Sequence, residues 1–166
     1  MRLTGKQIAE RGIVKGFCDE AVQQQGIDVR IDKISVVDGH GIVPAVGKTI
    51  KAHTTNIEWL NGRSEYVDLQ PGYYEVELME SCDIPKDAVL NYKTRSSLVR
   101  CGAIVHSGQF DGGFNTDKMG CFLEVLQPVL IERGARIAQA VVDESYPVDD
   151  DKLYNGQWQN DNQRTK

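Results

Sequence analysis

Two groups of residues in this chain have types and spacing that could do chemistry. Arg95-Ser96-Ser97 places a guanidinium beside two hydroxyls, a set able to grip phosphate oxygens through charge-assisted hydrogen bonds. Farther on, Phe110-Asp111-Gly112-Gly113-Phe114 sets a carboxylate beside two glycines and between two aromatic rings. Such a carboxylate can orient a water molecule and take its proton. An anion grip and a base, joined by a short apolar β element, are what hydrolysis of a phosphate ester needs. Each group also has a plainer reading. An isolated Arg-Ser-Ser belongs most often to a solvated strand end, and Asp-Gly is common in hairpin turns.

The rest of the chain bounds what could position these groups. Its 166 residues, 40% of them hydrophobic, suit one globular domain. A net charge of -5 argues against a general nucleic-acid binder, which needs a basic surface, but leaves room for a local pocket of a few arginines. The cysteines Cys18, Cys82, Cys101 and Cys121 are scattered without metal-ligand spacing. They read as four buried free thiols in a reducing compartment. No signal-peptide pattern opens the chain, and no apolar run approaches the roughly 18 residues a membrane span requires. The expectation is a cytoplasmic protein with no membrane partner.

Periodicity predicts an all-β fold. Thr4 to Gln7 fits a capping box, so a short helix is expected from about Gly5 to Arg11. Ile27, Val29 and Ile31 alternate with Asp28, Arg30 and Asp32, the pattern of a half-buried strand. Tyr74, Val76 and Leu78 alternate with Glu75, Glu77 and Glu80. Turns are expected at Asp38-Gly39 and Asn61-Gly62, the second as a hairpin between Ile57–Trp59 and Tyr66–Leu69. Ala88–Tyr92, Ala103–His106, Cys121–Leu126, Val129–Glu132 and Ile137–Val142 read as further short strands. Many strands with frequent turns imply a sandwich or barrel. From Pro147 the chain turns polar, so 1–146 is expected to form the domain and 147–166 a tail that is disordered or docks elsewhere.

Six motifs in order give the chain a resemblance to the dCTP deaminase/dUTPase family. They are Gln25 to Arg30; Leu69-Gln70-Pro71-Gly72 with Asp83-Ile84-Pro85; Arg95-Ser96-Ser97 with Arg100; Phe110 to Phe114; Gly134 to Gln139; and Tyr154-Asn155-Gly156-Gln157. The resemblance implies a distorted, jelly-roll-like β-barrel, assembled as a homotrimer with active sites shared between subunits. It implies that Asp111 is the catalytic base and that Arg95, Ser96, Ser97 and Gln139 bind phosphates. Phe114 would stack on the deoxyribose, and the hairpin His106-Ser107-Gly108-Gln109-Phe110 would read the base through its backbone. Tyr154 and Gln157, with Trp158 nearby, would form a lid. Asp28 would help hold Mg²⁺ through water, and an exposed strand aspartate is its alternative.

The family contains both hydrolysis of dUTP to dUMP and pyrophosphate, which limits uracil in DNA, and deamination of dCTP. Deamination would need Glu124 as a proton shuttle, with Arg100 assisting. The hairpin between Arg100 and Asp111, CGAIVHSGQF, is ten residues long and is similar to the shorter form of the archaeal and viral dUTPase branch. The deaminases carry a longer form resembling HxTAGWID. The expectation is therefore a dUTPase, with a deaminase or bifunctional enzyme as alternative and an inactive nucleotide-binding regulator as a third. Asn115 to Gly120 is longer than the family's usual segment, which leaves the facing of Glu124 open.

Overall fold

The computed structural model describes residues 1–159. Its centre is the twelve-residue strand Gly26–Val37, long because β-branched residues fill its inward positions and favour a pleated, packed surface. Around it forms an eight-stranded antiparallel sheet in the order Ala103–His106, Gly120–Val125, Gly72–Leu78, Gly26–Val37, Arg136–Glu144 and Ala88–Thr94. The short strands Val22–Gln23 and Thr54–Asn56 flank the long one. The two edge strands approach each other. Val105 N–H donates to Thr94 Oγ1 at 3.0 Å, and the same hydroxyl donates to Val105 O at 3.3 Å. This stitch nearly closes the sheet into a barrel, which removes a free strand edge. Two three-stranded sheets complete the shell, one from Val14–Lys15, Ser81–Asp83 and Asn115–Thr116, the other from Leu60–Asn61, Glu65–Leu69 and Val129–Glu132.

The interior is aliphatic: Ile27, Val29, Ile31, Leu78, Leu90 and Leu123 are fully buried. Each such side chain contributes about 1.5–3 kcal/mol by leaving water. The N-terminal helix Gly5–Glu10 carries the expected capping box between Thr4 and Gln7. The barrel class and the later strands agree with the periodicity. No helix among the described residues is long and apolar enough to cross a membrane.

Several expectations are corrected. The long strand is buried on both faces from Gly26 to Val29, because the sheet curls over it. A register shift between Ile31 and Lys33 then turns Asp32 inward, as a bulge puts two residues opposite one. Glu80 is not an outward partner of Glu75 and Glu77 but is 0% exposed. Its carboxylate accepts from Arg30 Nε at 2.7 Å and Arg30 N–H at 2.8 Å. The Asn61-Gly62 hairpin exists, but Asn61 is already in strand. Asp38-Gly39 opens a long loop rather than a tight turn, since Val37 pairs with Thr54. Only Cys82 and Cys121 of the four free cysteines are buried, and Cys101 is exposed.

Asp32 ties the bulge to distant segments. Arg133 donates to Oδ1 at 2.8 Å and Lys118 to Oδ2 at 3.0 Å. Burial works against the charged carboxylate, but the hydrogen bonds from Arg133 and Lys118 outweigh it and hold its pKa below the ordinary value. A depressed folded-state pKa gives stability that is full above about pH 4 and is lost as pH falls through the lower, folded value. Asp32→Asn should therefore lower the melting temperature at neutral pH and flatten the acid limb of the stability curve. An unchanged acid limb in calorimetry would show that this trio is not linked to folding.

Candidate active site

The strand Ala103–His106 leaves the sheet at His106 and returns at Phe110. There Phe110 N–H donates to Leu90 O at 2.9 Å and Leu90 N–H to Phe110 O at 3.0 Å. Between those points Ser107, Gly108 and Gln109 are exposed, and among the described residues their backbone groups have no hydrogen-bond partner. The chain then turns sharply, with Phe114 N–H donating to Asp111 O at 3.0 Å. Gly113 has φ +91, and a Cβ there would stand 3.0 Å from both Leu153 Cβ and Tyr154 N. At Gly112 a Cβ would stand 3.1 Å from Lys86 Cα and Pro85 O. Gly113 is favoured by its left-handed backbone, and at both positions a side chain would crowd neighbouring atoms.

This turn presents the Asp111 carboxylate to solvent, where Gln109 Nε2 donates to its Oδ1 at 2.7 Å. Beside it opens a cleft of about 260 Å³ lined by Ser107, Gly108, Gln109, Phe110, Asp111 and Phe114 from the hairpin. Glu75, Thr116, Lys118, Gly120, Cys121 and Phe122 form the far wall, and Tyr154 and Trp158 come from the tail. A line of aromatic contacts supports it: Tyr92 against Phe110 with centroids 5.3 Å apart, Phe110 against Phe114 at 5.2 Å, and Phe114 against Tyr154 at 5.4 Å. Phe114 is 8% exposed and serves both core and cleft wall. The buried Tyr92 hydroxyl has no partner among the described residues. Burial raises its pKa well above the ordinary phenol value, so it stays neutral.

Asp28 is neither an exposed strand residue nor a free carboxylate. It is 2% exposed, and its Oδ2 lies 3.3 Å from both Arg95 Nε and Arg136 Nη1. Arg95 caps the helix Ser96–Arg100, an element absent from the sequence expectations. Its backbone N–H is fixed to Ile137 O at 3.2 Å, and its Nη1 donates to Arg136 O at 3.3 Å. Ser96 and Ser97 stand exposed in the first helical turn, where N–H groups have no intrahelical acceptor. Half-buried Gln139 faces Asp28 in the sheet register. Gly26 lets these strands close, since a Cβ there would stand 2.6 Å from Gln139 Cγ.

One chain therefore holds the expected site in two parts. Ser107, Gly108, Gln109 and Phe110 of the hairpin share the Asp111 cleft with Phe114 and Tyr154, whereas His106, expected among them, does not line it. Arg95, Ser96, Ser97, Gln139 and Asp28 do not line it. Nor does Glu124. It lies on the outer face of the sheet, where His106 Nε2 meets its Oε2 at 2.8 Å beside the stacked rings of Tyr73 and Phe122. Arg100 is exposed in the last turn of its helix, and the Gln157 side chain is bonded to Thr49. No group of three or more His, Cys, Asp or Glu among the described residues is placed to hold a metal ion. Asp28, expected to help hold a metal through water, instead shares its Oδ2 between two guanidiniums on this chain. The tail, expected to lack a seat on its own chain, has one: Val148 N–H donates to Lys86 O at 3.0 Å and Tyr154 N–H to Gly112 O at 2.8 Å.

A family model for dCTP deaminase-like proteins matches residues 3–145. The chain belongs to the dCTP deaminase-like family. A probable deoxyuridine 5'-triphosphate nucleotidohydrolase of Halobacterium salinarum is 30% identical over 155 residues, 92% of each chain. The deoxyuridine 5'-triphosphate nucleotidohydrolase of Methanocaldococcus jannaschii is 33% identical over 124 residues, 74% of this chain and 78% of that one. The 2'-deoxycytidine 5'-triphosphate deaminase of Agrobacterium tumefaciens shares the fold, with a TM-score of 0.61 at 20% identity over 85% of this chain and 47% of the other.

Within this dCTP deaminase-like fold, sequence reasoning missed Gln109 as a partner of Asp111 and Glu75, Thr116 and Lys118 as cleft wall. Alternation could have found Glu80, because its even number puts it in phase with the inward Tyr74, Val76 and Leu78. The Arg95–Asp28–Arg136 cluster had no linear signal, since its members are separated by most of the chain. Asp28→Asn should lower stability by about 1.5–3 kcal/mol, the range for hydrogen bonds to a charged group, and loosen Arg95. Calorimetry and triphosphate binding should both register the change. Normal values in both would make the cluster incidental.

Proposed function

We propose that this protein hydrolyses dUTP to dUMP and pyrophosphate. The observation that carries the reading is the Asp111 hairpin: an exposed carboxylate at the mouth of an aromatic cleft whose Ser107–Gln109 backbone groups are open. Those groups suit the edge of a pyrimidine. Uracil offers O4 and N3–H where cytosine offers N4–H₂ and N3, and a mismatch leaves buried polar groups unpaired at about 1–3 kcal/mol each. The names of the two archaeal relatives point the same way.

In this reading water attacks the α-phosphorus while Asp111 takes its proton, with Gln109 fixing the carboxylate. The new bond joins the water oxygen to the α-phosphorus, and the bond to the bridging oxygen breaks, releasing pyrophosphate. Phe114 packs against the sugar. Arg95, Ser96, Ser97 and Gln139 bind phosphates, and Asp28 aims Arg95 rather than binding metal. Mg²⁺ bound with the triphosphate would neutralise part of its charge. Because Arg95, Ser96, Ser97 and Gln139 do not line the Asp111 cleft of their own chain, a complete site in this reading draws on a second copy. This supports a homotrimer with shared sites, and a micromolar sample that scatters light as a monomer would contradict it. Glu124, held by His106 outside the cleft, has no part in this reaction.

Purified protein given dUTP and dCTP separately should release pyrophosphate from dUTP and little ammonia from dCTP. Asp111→Asn should cut dUTP turnover by at least about 100-fold, the usual contribution of a positioned base, while retaining nucleotide binding. Glu124→Gln should leave dUTP turnover nearly unchanged. Comparable ammonia release from dCTP, abolished by Glu124→Gln, would establish the deaminase instead.

A further inference from the structure

The tail crosses the cleft between two clasps. The Gln157 side chain makes both hydrogen bonds a β-bridge would make: its Oε1 accepts from Thr49 N–H at 3.1 Å and its Nε2 donates to Thr49 O at 2.6 Å. Gln159 makes a second clasp across two residues, accepting from Asn115 N–H at 3.2 Å and donating to Gly113 O at 3.0 Å. Trp158, between them, lines the cleft, and its N–H donates to the Tyr154 hydroxyl at 3.2 Å. The loop that carries Thr49 is closed on itself by reciprocal Ile42–Ile50 backbone bonds, each 2.9 Å, and its Lys51 pairs with Glu75 of the cleft wall.

We infer that Gln157 is a positioning residue that buckles the tail to the Thr49 backbone of the same chain, so that Trp158 rather than Gln157 faces the nucleotide. The loop carrying Thr49 is then a fixed jaw, and Gln159 ties the strap to the catalytic turn at Gly113. A side-chain amide is suited to this task because it offers one donor and one acceptor, matching the single N–H and C=O of one residue. A tail buckled before the nucleotide arrives has met its ordering cost in advance and offers a preorganised cleft wall. The effect on catalysis rests on the dUTP-hydrolase reading, whereas the clasp itself does not.

The test uses the full-length protein carrying Trp59→Phe, which leaves Trp158 as the reporter, since the chain has two tryptophans. Trp59 lies outside the cleft, bonded to Asp32 O. Gln157→Ala should make Trp158 fluorescence several-fold more sensitive to iodide quenching in ligand-free protein. The same change should raise KM for dUTP about tenfold, the effect of losing a pair of modest hydrogen bonds, with kcat nearly unchanged. Thr49→Ala should alter neither readout, because only the Thr49 backbone is used. Unchanged quenching in Gln157→Ala, or an equal effect from Thr49→Ala, would overturn the buckle. Absence of dUTP turnover in the parent would count against the functional reading alone, and quenching would still decide the clasp.

Discussion

The bridge between Leu90 and Phe110 is the contact on which the site depends. It pulls the chain back to the barrel after an unpaired excursion, and it fixes where Asp111 emerges. Everything near it is arranged around that return. Thr94 stitches the neighbouring edge to Val105, so the two ends of the sheet cannot slide relative to each other. Tyr92 and Phe114 hold Phe110 from two sides. The barrel core is general hydrophobic burial, but the placement of the carboxylate comes from a few backbone bonds at the seam.

Charge is organised on the same principle. The acidic residues of the long strand are turned inward and each is answered by cations from elsewhere in the chain: Asp28 by Arg95 and Arg136, Asp32 by Lys118 and Arg133. Glu80 is answered by Arg30 of that strand. Removing one partner from such a set leaves an uncompensated charge, which costs far more than an exposed pair is worth. These pairs therefore specify which segments meet. The Asp28 pair has a second consequence, since Arg95 is also the first residue of the proposed phosphate grip.

The sequence made much of this legible. Alternation located the strands, the Thr4–Gln7 spacing located the first helix, and the Asp-Gly-Gly turn located the carboxylate. What alternation could not supply was the effect of curvature. Once the sheet curls and bulges, the outward residues Asp28 and Asp32 become interior, and period-2 logic fails there. The helix Ser96–Arg100 was hidden because five residues carry too little periodicity to announce themselves. The tail's seat was hidden for a different reason. Gln157 and Gln159 use side chains to imitate backbone pairing, and their partners Thr49 and Gly113 have no identifying chemistry.

The central claim is that water, positioned by Asp111, attacks the α-phosphorus of dUTP. Hydrolysis in water enriched in oxygen-18, followed by mass spectrometry of both products, tests it directly. The account predicts one labelled oxygen in dUMP and none in pyrophosphate. Label found in pyrophosphate, or release of free phosphate in place of pyrophosphate, would contradict it.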